Sequence, residues 1–163
     1  MVKVLFVCLG NICRSPMAEA IFKDLLKEKS LENIIEVDSC GTSDYHIGEP
    51  PDPRALKTLG EMNIETDHKA RQLGVEDFED FDFVIPMDES NLTNTIQLMS
   101  KAKNPKARIK KMRFFDPEHP DADVPDPYFG GQDGFEKVYK MLRRSSEKLL
   151  NEILKSNPDL KPV

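Results

Sequence analysis

Cysteine is scarce in this 163-residue chain, with three in all, at positions 8, 13 and 40. An odd number argues against a secreted disulfide framework, and a reducing, cytoplasmic compartment is expected. Histidine is equally rare. His46 and His119 stand far apart, without a cysteine or carboxylate cluster at ligand spacing, so no metal site is expected. Long apolar runs are missing too. No stretch approaches the roughly 18 residues that a membrane helix needs, so no membrane insertion is expected. Lys3, the run Val4 to Leu9 and Ala18-Glu19-Ala20 imitate a signal peptide. The run is too short, and Asn11 and Arg14 interrupt it, so the start reads as mature protein. Positive charge is in deficit: 23 Lys and Arg against 29 Asp and Glu leave a net charge of −6. A general nucleic-acid binder would show a basic face. A local basic pocket for a phosphate remains compatible with this balance.

What is present fits a globular protein, with 39% hydrophobic and 32% charged residues. The length suits one domain over residues 1–163, with a core of about 2–155 and a polar, proline-containing tail at 156–163. Val2 to Val7 is β-branched and nearly continuous in apolar character, as for a strand buried on both faces. Pro16 then suits the first turn of a helix capped by Ser15. Further strands are expected at Ile34 to Cys40, Phe81 to Met87 and, more weakly, Ala107 to Phe115. Further helices are expected from Pro53 to Met62, from Asp88 as cap to Met99, and from Gly134 to Leu154. This alternation predicts an α/β fold: a single three-layer domain with a four-stranded parallel sheet flanked by helices.

The segment Cys8-Leu9-Gly10-Asn11-Ile12-Cys13-Arg14-Ser15 lies between the first strand and first helix, at the sheet edge where ligands bind in open α/β folds. Loop amides and a helix N-terminus there form an anion site. Gly10 eases the turn, and Arg14 can hold two phosphate oxygens through its planar fork. The same positive field favours a Cys8 thiolate, to which Ser15 can donate a hydrogen bond. The loop is therefore equipped for attack by sulfur on phosphorus. Cysteine, five residues, arginine, then Ser or Thr is expected by chance about 0.01 times in this composition.

That loop resembles the signature of the low-molecular-weight protein tyrosine phosphatases. Asp126-Pro127-Tyr128 resembles their acid loop, and Met87-Asp88-Glu89-Ser90-Asn91, Asp38-Ser39 and His68-Lys69-Ala70-Arg71-Gln72 also match. The resemblance spans about residues 2–155. It implies that Cys8 forms a cysteinyl-phosphate, that Arg14 and the loop amides of residues 9–15 hold the phosphoryl oxygens, and that Asp126 is the general acid and then base. Asn11, Ser15, Ser39 and His68 would support the loop. Tyr45 and Tyr128 would form an aromatic substrate rim. Cys13 would be a redox partner of Cys8. The implied ligands are phosphotyrosine proteins or aryl phosphates, with phosphate and other oxyanions as inhibitors, and no cofactor or metal. The family often carries two tyrosines after Asp-Pro, whereas this chain has Tyr128-Phe129. Ile12 stands where relatives specialised for phosphoarginine tend to have threonine, which favours phosphotyrosine.

Read without the resemblance, Asp126 is a solvated turn acid, Asp88 an N-cap, Cys40 a core residue, and Lys110, Lys111 and Arg113 a solvated basic face. Two other functions compete. A thiol-dependent arsenate reductase would need relay cysteines downstream, and none follows Cys40. A phosphate-binding module would need neither Cys8 nor Asp126.

Overall fold

A computed structural model describes residues 1–160. In chain order the elements are β1 (Val2–Cys8), α1 (Arg14–Glu28), β2 (Ile35–Gly41), α2 (Pro53–Glu61), α3 (Asp77–Asp80), β3 (Phe83–Pro86), α4 (Glu89–Met99), β4 (Arg108–Ile109) and α5 (Gln132–Ser156). The strands form one parallel sheet in the order β2-β1-β3-β4. The α/β fold with four parallel strands is therefore as the sequence predicts.

β1 is central, and its side chains alternate between two cores. Val4, Phe6 and Cys8 join α1 and α5 on one face, where Phe6 meets Phe22 edge-on at 5.7 Å. Leu5 and Val7 join Phe78, Phe81, Val84 and the half-buried Leu98 on the other. Val138, Leu142, Leu149, Leu150 and Ile153 give α5 its buried stripe. Cys8 ends β1 opposite Gly41, at the carboxyl edge of the sheet.

Beyond shifts of one or two residues at other element ends, four features differ from expectation. α1 begins at Arg14 with Cys13 at the cap position, so Ser15 is not the N-cap. Its hydroxyl instead turns toward Cys8, Asn11 and the Cys40 carbonyl. β4 is two residues, not nine, because β3 ends at Pro86, which has no N–H to extend the ladder. The chain then turns, with Met112 N donating to Pro86 O. α3 is unanticipated, and its first residue Asp77 accepts from Gly74 N and from Arg71. Ser156, expected to open a tail, closes α5. Asn157 Nδ2 caps the Ile153 carbonyl, and Leu160 packs against the core. Residues 161–163 of that expected tail lie outside the described residues.

Candidate active site

Residues 9–13 join β1 to α1 in a tight arch. Asn11 sits at its turning point with φ 58°, a left-handed conformation that asparagine tolerates better than most residues. Its side chain is fully buried and holds the arch from within. Nδ2 donates to Ser15 Oγ (2.8 Å) and Ser39 Oγ (3.0 Å). Oδ1 accepts from His68 Nε2 (2.7 Å) and Arg71 N (3.0 Å). Gly41 has to be a glycine, since a Cβ there would stand 2.7 Å from Leu9 O and 3.1 Å from Asn11 N. Thr42 N and Ser43 N donate to the carbonyls of Cys8 and Leu9, and Asp52 N to that of Ile12. The arch is thus tied at each end and in the middle by distant segments.

Inside the arch lies Cys8, 2% exposed. Its Sγ is 3.0 Å from Ser15 Oγ and accepts from Asn11 N at 3.3 Å. Arg14 is equally buried. Nη1 donates to Asp88 Oδ2 (2.6 Å) and Val124 O (3.0 Å), while Nη2 lies 3.8 Å from Asp126 Oδ2. Burial alone would lower its pKa, but charge at Cys8 and the bond to Asp88 outweigh that and raise it. Asp88 therefore does two jobs, capping α4 through Asn91 N (2.8 Å) and orienting the guanidinium.

A cavity of about 200 Å³ opens over this floor, lined by Cys8, Leu9, Gly10, Ile12, Cys13, Arg14, Tyr45, His46, Asp126, Tyr128 and Phe129. Asp126 Oδ1 accepts from Tyr128 N, and Tyr128 meets Phe129 edge-on at 5.1 Å. Arg54 clamps this acid loop to α2. Its guanidinium donates to the carbonyls of Tyr128 and Gly130, pairs with Asp52 and lies 5.6 Å from the Tyr128 ring centre. Cys13 is a free thiol on the wall; burial, reinforced by the nearby Asp52 carboxylate, pushes its pKa up.

The structure therefore gathers the expected residues 8–10, 12–14, Tyr45, Asp126 and Tyr128 around one cavity, with Asn11, Ser15, Ser39 and His68 behind it. Four contributors escaped sequence reasoning: Gly41, Arg54, Glu19 and the Arg14-orienting role of Asp88. Glu19 is buried, accepting from Ser39 Oγ and Lys23 Nζ, with His68 Nδ1 at 3.2 Å. Its only sequence signal was a carboxylate on the apolar stripe side of α1. Glu19, Asp38 and His68 lie close enough together to suggest a metal site. Each is already engaged, and the cations Lys23 and Arg71 hold the two carboxylates.

The sequence and the fold are both similar to those of known proteins. The profile of the family described as low molecular weight phosphotyrosine protein phosphatase matches residues 3–159. The chain belongs to this family. A family protein of Schizosaccharomyces pombe is 44% identical over 155 residues, covering 93% of this chain and 97% of that one. The Bacillus subtilis low molecular weight protein-tyrosine-phosphatase YfkJ is 44% identical, covering 95% and 97%. The YfkJ crystal structure superposes with a TM-score of 0.87 at 41% identity, covering 96% and 97%. The fold is also similar to that of a drosophila arginine phosphatase, with a TM-score of 0.88 at 36% identity, covering 93% and 98%. Among the described residues no helix is long and apolar enough to cross a membrane.

Proposed function

We propose that this chain hydrolyses aryl phosphate monoesters, with protein phosphotyrosine as the substrate class, in two steps on Cys8. In the first, Cys8 Sγ attacks phosphorus and the phosphorus–oxygen bond to the phenol breaks. Asp126 gives its proton to the departing oxygen. In the second, Asp126 takes a proton from water, the water oxygen attacks phosphorus, and the sulfur–phosphorus bond breaks to return phosphate and the thiolate. Arg14 and the loop amides hold the charge that gathers on the equatorial oxygens. Ser15 Oγ can swing its proton from the Cys40 carbonyl (3.2 Å) to Sγ, which stabilises sulfur as the leaving group of the second step.

The observation that carries this reading is Cys8 on the floor of the cavity, with the Asn11 amide on its sulfur and Arg14 reaching toward Asp126. A binding module would need no buried nucleophile facing an acid. The lining of Tyr45, Tyr128, Phe129 and Ile12 is aromatic and apolar, which suits a phenyl ring. Cys13 serves as redox partner in this reading. A peroxide oxidises Cys8 to the sulfenic acid, Cys13 sulfur attacks it, and a disulfide forms as water leaves. The reducing cytoplasm, where such a bond is reversed, is the proposed location.

The test is hydrolysis of p-nitrophenyl phosphate in EDTA and dithiothreitol, beside phosphotyrosyl and phosphoarginyl peptides. Turnover abolished by Cys8→Ser and reduced about 10²–10⁴-fold by Asp126→Asn is expected. Folded, reduced protein without turnover would refute the phosphatase reading. A higher kcat/KM on phosphoarginine would refute the substrate class alone.

A further inference from the structure

Tyr45 lines two cavities. One is the pocket over Cys8. The other is a larger groove of about 640 Å³ that shares only Leu9 and Tyr45 with it. No step of the phosphoryl transfer uses this groove, and an aryl phosphate would not reach it. A chain continuing from the phosphorylated residue would.

Its lining is suited to main chain. Asn94 and Gln97 of α4 are exposed, and their carboxamides make no side-chain hydrogen bond among the described residues. Each offers both a donor and an acceptor, the complement of a peptide unit. Gln72 donates to Thr42 O, and Thr42 Oγ1 is buried without a partner. The groove carries one charge of each sign, Asp44 beside Tyr45 and Lys101 just past the end of α4. The two differ in surroundings. Lys101 opens a run to residue 113 that holds seven Lys and Arg and no Asp or Glu, in a chain of net charge −6. Lys103, Arg108 and Lys110 in that run, like Lys101, have no carboxylate within ion-pair distance among the described residues. Lys101 is the one of these that lines the groove, and it presents an unpaired positive charge there.

We propose that this groove binds the polypeptide flanking the phosphotyrosine, and that Lys101 selects an acidic residue there. The proposal rests on the phosphatase reading of the adjoining pocket and extends it to substrate choice. Continuity through Leu9 and Tyr45 places the occupant, and the unpaired Lys101 sets its charge.

The experiment measures kcat/KM for p-nitrophenyl phosphate and for two phosphotyrosyl peptides, one flanked by glutamates and one by lysines. Wild type, Lys101→Glu and Gln97→Ala are compared. Wild type is expected to favour the glutamate peptide. Lys101→Glu is expected to lose about three- to tenfold on that peptide and to gain on the lysine peptide, as reversal of one exposed charge allows. Gln97→Ala is expected to lose a few-fold on both peptides. All three proteins should hydrolyse p-nitrophenyl phosphate equally, and the peptide preference should shrink as salt rises. An unchanged glutamate-to-lysine ratio in Lys101→Glu, with normal p-nitrophenyl phosphate turnover, would overturn the groove. Wild type inert toward p-nitrophenyl phosphate would instead overturn the phosphatase reading beneath it.

Discussion

The Asn11 side chain makes no direct contact with Cys8, yet its removal is expected to be among the most damaging single changes. This fully buried side chain makes four hydrogen bonds inside the arch. In Asn11→Gly the two donors to Oδ1, His68 Nε2 and Arg71 N, lose that acceptor; Nε2 keeps Ser39 Oγ at 3.2 Å, so Arg71 N alone is orphaned. A buried orphan costs about 1–3 kcal/mol. The two serine oxygens lose only a donor and keep other partners, Glu19 for Ser39 and Cys40 O for Ser15. Asn11→Ala adds a Cβ at φ 58°, a conformation that disfavours ordinary side chains by about 1–2 kcal/mol. The extra freedom of glycine in the unfolded chain offsets about 0.4–1 kcal/mol of that difference. Alanine should therefore be the worse of the two by roughly 0–1.6 kcal/mol. Urea unfolding gives the stabilities, and kcat on p-nitrophenyl phosphate gives the state of the arch. Both variants should lose kcat, because the Asn11 amide that donates to Cys8 Sγ moves with the arch. A stability loss under 1 kcal/mol with wild-type kcat in Asn11→Ala would refute the claim that this side chain shapes the loop.

Asp88→Asn should separate the two jobs of that residue. Asparagine caps a helix as well as aspartate, so the α4 cap should survive, while kcat/KM falls and urea unfolding shows a loss of about 1–3 kcal/mol as the buried Arg14 loses its carboxylate. Gly41→Ala should lower both stability, by about 1–3 kcal/mol, and kcat, since its Cβ meets the Leu9 carbonyl at 2.7 Å. Asp116 is buried; burial alone would raise its pKa, but hydrogen bonds from Arg144, the Glu118 amide and Arg113 outweigh it and hold the carboxyl well below the usual range. A depressed folded pKa stabilises above the unfolded value of about 3.9, and that contribution drains away as pH falls toward the folded value. Asp116→Asn should therefore cost about 3–5 kcal/mol at pH 7, and its deficit against wild type should narrow steadily below pH 4 in urea titrations. A deficit that stays constant between pH 7 and pH 2.5 would refute the ion-pair account.

The layers of the fold were readable because each rests on a local periodicity. The apolar run of β1 and the stripe of α5 announce themselves within one element. β4 was misread for the same reason. Ile109 and Met112 look like strand residues, but whether they pair depends on Pro86, more than twenty positions earlier, having no amide hydrogen to offer. α3 escaped because four residues carry too little periodicity, and Phe78 and Phe81 belong to the core of the far face.

The site divides along the same line. Cys8, Arg14 and Ser15 lie within one short loop, so their joint purpose shows in spacing alone, whereas the role of Asn11 came only with the family resemblance. What makes Arg14 useful comes from afar: Asp88 from the start of α4, and Val124 and Asp126 from the acid loop. In one dimension Asp88 is fully explained as an N-cap, and Arg54 as an exposed residue in the first turn of α2. A residue whose local role is already satisfied gives no signal of a second, distant one. Such double-duty positions are where sequence reasoning is blind, and Asp88→Asn is informative because it keeps the local role and removes only the distant one.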